Sequence, residues 1–168
     1  MSLDLGAMKN IIVEKANSKS AEEILTLQKT AYISEAEIID DFTIPPLHQK
    51  YEEILKEFDK QHFLKVVINN EIVGSVRAYL ENDTCYIGKL IVHPDFQNMG
   101  IGTKLLNTAE KEFTNAKRFE LFTGEKSEKN LYLYKKNEYI HFRNLKVSEK
   151  LTLVFLEKSN HSYRSSSL

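Results

Sequence analysis

Leu90-Ile91-Val92-His93-Pro94-Asp95-Phe96-Gln97-Asn98-Met99-Gly100-Ile101-Gly102-Thr103-Lys104-Leu105-Leu106 is the stretch on which the reading of this chain turns. A β-prone apolar run stops at His93-Pro94, and a polar turn follows. Beyond it Ile101, Leu105, Leu106, Ala109 and Phe113 fall on one helical face. Two of the chain's six glycines, Gly100 and Gly102, sit at the start of that helix. Glycine in a helix is less favourable than alanine by about 1 kcal/mol, so the pair needs a reason. Close approach of backbone to a ligand supplies one. The first amides of a helix have no internal acceptor, and the helix dipole adds to their pull on anions. The stretch therefore reads as a phosphate or pyrophosphate site.

Working outward, the period of the apolar pattern changes several times. A short strand is expected at Ile11 to Lys15. Ser20 and Glu23 have capping-box spacing, and Ala21, Ile24, Leu27 and Ala31 place a first helix up to about Tyr32. The acidic segment Ser34 to Ile44 is less regular. Pro45-Pro46 precedes a second helix with the apolar stripe Leu47, Tyr51, Ile54, Leu55 and Phe58. Phe63–Ile68, Ile72–Leu80 and Thr84–Val92, separated by Asn-rich or Asp-rich turns, form an antiparallel meander. After the glycine-led helix come a strand at Arg118–Thr123, a short helix capped by Ser127 and ending near Lys136, and a closing pair at Tyr139–Leu145 and Leu151–Leu156. The order is β-α-α-β-β-β-α-β-α-β-β. It predicts a single α/β (α+β) domain over residues 8–158, with a mixed, mostly antiparallel sheet flanked by helices. Met8 reads as a second start, leaving Met1 to Ala7 as a cloning remnant, and the serine-rich 159–168 as a flexible tail.

The 168 residues are 42% hydrophobic, enough for a sizeable core. With 23 basic and 24 acidic residues the net charge is -1, so no basic stripe marks a nucleic-acid partner. The lone Cys85 excludes an intrachain disulfide and reads as strand packing. The five histidines lack ligand spacing, so no metal site is expected. No apolar run is long enough for a membrane span and no signal peptide opens the chain, which points to the cytoplasm. A P-loop would require Gly-Lys-Ser/Thr, whereas the order here is Gly102-Thr103-Lys104. A dinucleotide fingerprint would need glycine where Leu105 stands.

Gln97, Gly100 and Gly102 resemble the Gln/Arg-x-x-Gly-x-Gly/Ala motif of the GNAT superfamily of acetyl-CoA-dependent N-acetyltransferases. Leu90, Val92 and Pro94 are similar to the Leu-x-Val-x-Pro that commonly precedes it. Leu133-Tyr134-Lys135-Lys136-Asn137-Glu138-Tyr139 resembles the family's Leu-Tyr-x-Lys-x-Gly-Phe, with Glu138 in place of the glycine. The resemblance spans about Ile11 to Leu156. It implies transfer of acetyl from acetyl-CoA to a primary amine of a small molecule or peptide. Backbone amides of Gln97, Asn98, Met99, Gly100, Ile101, Gly102 and Thr103 would hold the pyrophosphate. Leu90, Ile91 and Val92 would pair with the pantetheine arm, with an amide near Val92 polarising the thioester carbonyl. Asn130 would contact the coenzyme, and Tyr134 would protonate the leaving thiolate. Members often dimerise, so a homodimer is admitted. Many members carry a base glutamate on the strand before the motif, but Tyr86-Ile87-Gly88-Lys89 has no carboxylate. Glu35, Glu37, Asp40 and Asp41 are then either candidate bases or a solvated acidic loop. A non-catalytic acyl-CoA sensor of the same fold is the alternative.

Overall fold

The computed structural model describes residues 10–165. Met1 to Ala7 and Met8 lie outside them. Seven strands form one sheet in the order β1-β2-β3-β4-β5-β7-β6. They are β1 (Val13–Ala16), β2 (His62–Ile68), β3 (Glu71–Glu81), β4 (Thr84–Val92), β5 (Arg118–Gly124), β6 (Ile140–Lys146) and β7 (Thr152–Ser159). Four helices, α1 (Ala21–Ile39), α2 (Tyr51–Lys60), α3 (Ile101–Glu112) and α4 (Glu128–Lys136), complete the expected order. Every strand contact is antiparallel except β4 with β5.

Alternation along the strands divides the core in two. Leu64 and Val66 of β2 face a cluster with Ile101, Leu105, Leu106 and Ala109 of α3 and Tyr134 of α4. Phe63, on the other face, packs with Ala21, Ile24, Leu25 and Leu27 of α1 and Ile54 of α2. The faces of β1–β4 are thus covered by different helices, while β6 is exposed along its length.

Three local expectations are corrected. The first helix does not stop near Tyr32 but continues to Ile39, taking in half of the acidic segment. Ala36 is fully buried there, and the helix closes at Asp40 in a left-handed turn whose N–H reaches the carbonyls of Ala36 and Glu37. Ser20 and Glu23 make no capping box. Ser20 Oγ accepts from Lys65 Nζ, and Glu23 Oε1 accepts from the amide of Ile72, so both side chains tie α1 to the sheet. Ser127 precedes α4 but does not cap it; its hydroxyl donates to Glu35. The segment after Ser159 runs against the α3–β5 connection, where Asn160 Nδ2 donates to the carbonyl of Ala116 at 2.7 Å and the Arg164 amide to that of Thr114 at 3.0 Å.

Candidate functional site

The parallel contact between β4 and β5 is short. Thr84, Cys85 and Tyr86 pair with Arg118, Phe119 and Glu120, and the ladder then stops. From Ile87 to Val92 the edge of β4 that faces β5 has no strand partner among the described residues. On its other edge, three residue steps of β4 from Gly88 to Ile91 oppose two of β3 from Arg77 to Ser75. The extra residue is a bulge, which bends the strand and raises its twist. Bulge and divergence together open a wedge whose floor offers unpaired backbone donors and acceptors.

The wedge runs straight into the glycine turn. Pro94–Phe96 forms one 3-10 turn. Asn98 and Gly100 then take left-handed conformations, with φ of 63° and 81°. Among the described residues, the amides of Asn98 to Thr103 donate to nothing, and the first helical bond runs from Lys104 to Gly100. Consecutive free amides around left-handed residues form an anion-binding concavity. A Cβ at Gly100 would meet no atom within 4 Å, whereas one at Gly102 would lie 3.2 Å from Leu133 Cδ2. Gly100 therefore supplies backbone conformation and an open approach, and Gly102 lets α4 lie close to the helix start. Gln97 Oε1 accepts from Lys129 Nζ at 3.1 Å and so ties the β4–α3 turn to α4, while Asn130 Nδ2 donates to Thr123 Oγ1 at 3.2 Å and ties α4 to β5. Leu90 and Val92 pack toward the α3 side, while Ile91 is buried on the α1 side.

Tyr134 is 4% exposed. Its hydroxyl has no hydrogen-bond partner among the described residues, yet it is not one of the buried polar atoms sealed from solvent. Burial, then the neighbouring Tyr32 and Glu35, hold its pKa well above the ordinary phenol range. Tyr32 is pushed up to about 12, chiefly by burial.

Across the wedge stands a polar network that no sequence pattern announced. Arg77 of β3, 2% exposed, donates to Glu57 Oε2 at 2.5 Å and to Gln28 Oε1 at 2.7 Å and lies 4.7 Å over the Phe63 ring. Lys89, on the stretch that lacks a carboxylate, has its pKa lowered by burial and by Arg77. The acidic candidates separate here. Asp41 Oδ1 accepts from the amide and the hydroxyl of Thr43, and Lys150 donates to the carbonyl of Asp40. Glu37 is exposed. Glu35 turns inward and accepts from the buried Ser127 at 2.9 Å. The only signal in the sequence for that meeting is the face shared by Gln28, Tyr32 and Glu35, each a helical turn apart. Among the described residues no group of three or more His, Cys, Asp or Glu stands together as a metal site, and no helix is long and apolar enough to cross a membrane.

A model of the acetyltransferase (GNAT) family matches residues 21–139. UPF0157 protein YqkA of Bacillus subtilis is 30% identical over 133 residues, 79% of this chain and 38% of that protein. Acetyltransferase ECA0875 of Pectobacterium atrosepticum is 32% identical over 83 residues, 48% of this chain and 59% of that protein. The chain thus spans less than two thirds of either relative. The PaiA N-acetyltransferase of Thermoplasma acidophilum, crystallised with coenzyme A, has a similar fold, with a TM-score of 0.71 at 16% identity over 89% of this chain and 99% of that one. The matched residues run from the first turn of α1 to Tyr139 and contain both the wedge and the glycine turn: the chain belongs to the acetyltransferase (GNAT) family.

Proposed function

We propose that this chain is an N-acetyltransferase that moves acetyl from acetyl-CoA directly to a primary amine. The observation that carries this reading is the continuity of the unpaired β4 edge with the six free amides at the start of α3. A pyrophosphate fits those amides, and an extended amide-bearing arm fits the open edge as an added strand. Bound acetyl-CoA supplies a thioester whose sulfur needs a proton on leaving.

The amides of Asn98 to Thr103 bind the anionic end, with Gln97 and Asn130 framing it. Leu90, Ile91 and Val92 orient the arm, and an amide near Val92 offers an oxyanion donor. Tyr134 Oη, open to solvent within an otherwise buried ring, supplies the proton. Its raised pKa ensures that the proton is present at neutral pH. A second reading, a non-catalytic acyl-CoA sensor, draws on the absence of a carboxylate along the open part of β4.

Calorimetric titration with acetyl-CoA, with ATP and NAD as controls, tests the site, and release of free CoA thiol with a panel of amines tests turnover. Selective binding with turnover is the expected result. Gly100→Glu should lose binding altogether, since it puts bulk and negative charge among the free amides. Binding without turnover of any amine would favour the sensor, and undiminished affinity in Gly100→Glu would overturn the pyrophosphate assignment.

A further inference from the structure

We propose that Glu35 is the group that receives the acceptor's proton, and that the acceptor is an alkylamine, protonated at neutral pH, which this carboxylate attracts. The inference rests on the proposed acetyl transfer and assigns its missing base.

One helix face and one hydrogen bond carry the argument. Gln28, Tyr32 and Glu35 occur at i, i+4 and i+7 on α1, so they line one face. Gln28 at the bottom of that face is fully buried against Arg77, which directs the whole row inward. Ser127 immediately precedes α4, and Tyr134 lies toward the end of that helix; both are buried. The bond from Ser127 Oγ to Glu35 Oε1 brings that face of α1 to the start of α4 across 92 residues of sequence. Ser127 is 3% exposed, so it is a fixed donor that orients the carboxylate and leaves Oε2 without a partner among the described residues. The phenols of Tyr32 and Tyr134 both feel the Glu35 charge, so the carboxylate bonded to Ser127 is a near neighbour of both hydroxyls. Arg77, the buried cation whose charge Tyr32 feels, is already paired with Glu57. Glu57 also accepts from Gln49, and Glu120 on β5 is held by Arg118 at 2.9 Å. Glu37 lies two residues on, and so points away from the Glu35 side of α1.

The step balances as follows. One N–H bond of the acceptor's ammonium breaks, and its proton goes to Glu35 Oε2. The electron pair left on nitrogen forms the N–C bond to the acetyl carbon as the C–S bond breaks. Sulfur takes the phenolic proton of Tyr134, and the phenolate recovers a proton from the newly acylated nitrogen. Glu35 then releases its proton to water. An alkylamine of pKa near 10.4 is almost wholly protonated at pH 7, so a base in this position removes a large penalty. Protonation of Glu35 also removes one of the charges that oppose ionisation of Tyr134, which eases the second transfer.

The test compares Glu35→Gln with Glu37→Gln, using the best alkylamine from the thiol-release panel and an aromatic amine, which is unprotonated at neutral pH. Glu35→Gln should lower kcat/KM for the alkylamine about 100-fold at pH 7, with the deficit shrinking as pH rises. Aromatic-amine turnover and acetyl-CoA affinity should stay near wild type, as should every property of Glu37→Gln. Calorimetric titration of the protein–CoA complex with the alkylammonium should show weaker binding in Glu35→Gln alone. Unchanged alkylamine turnover at pH 7, or an equal loss for both amines at every pH, would overturn the assignment. A wild-type protein that binds no acetyl-CoA would overturn the proposed function itself, and this inference with it.

Discussion

At Tyr134 core packing and the proposed chemistry meet in a single side chain. Its ring joins the α3-side cluster, while its hydroxyl stays open to solvent. Burial first, then Tyr32 and Glu35, raises its pKa, so the neutral phenol persists throughout the ordinary assay range. The sign follows: a raised phenol pKa moves deprotonation to higher pH, so Tyr134 should produce no alkaline loss of kcat below about pH 10, the usual phenol value. Tyr134→Phe keeps the packing and removes the proton. Its kcat should fall about 100-fold, with acetyl-CoA affinity within twofold of wild type by calorimetry. Full turnover in this variant would return Tyr134 to a packing role. The residue was legible in the sequence through its resemblance to a motif; its buried ring and open hydroxyl were not, because they depend on what α1 and β3 bring beside it.

At the scale of elements, the placement of α3 decides the site. The helix can present free amides to the end of β4 only if its first turn lies close to the sheet. Gly74 of β3 permits this: a Cβ there would come within 2.8 Å of Ile101 Cγ2 and 3.0 Å of Leu105 Cδ1. Gly74→Ala should therefore push the first two turns of α3 outward. The expected loss of stability is about 1–3 kcal/mol, with a severalfold fall in acetyl-CoA affinity, read by denaturant titration and calorimetry. Gly88→Ala is the control for stability, since a Cβ there meets nothing within 4 Å. Its denaturation midpoint should not move. An isolated glycine in a strand signals close approach or a bulge, but the sequence does not say what approaches.

The whole molecule carries a predictable alkaline weakness. Cys85 is fully buried, and burial pushes its thiol from 9.0 up to about 12; Tyr32 is pushed from 10.0 up to about 12. In both cases the folded chain holds the proton more tightly than the unfolded chain. Their stabilising contribution is intact below about pH 9 and is lost as pH rises through 9 to 12, because the unfolded state ionises first. The urea midpoint should be flat to about pH 9 and then fall. Cys85→Ala, destabilised at neutral pH by its lost packing, should show a shallower fall, and an identical slope would remove Cys85 from the account.

The order of elements, the glycine turn and the aromatic end of α4 were decided by the sequence alone. Each rests on neighbours within a turn or two: period 2 or 3.6 in the apolar residues, glycine spacing, and proline and asparagine at the breaks. The tertiary structure decided the rest. Arg77 reaches Gln28 across 49 residues, and Glu35 reaches Ser127 across 92. The short β4–β5 ladder and the bulge in β4 arise from how strands settle against one another. Local pattern cannot encode such meetings, because the free energy that selects them is released only when distant surfaces pack. The sequence therefore placed the glycine turn at the end of β4, and only the fold brought one acidic side chain among several, Glu35, to Ser127 at the start of α4.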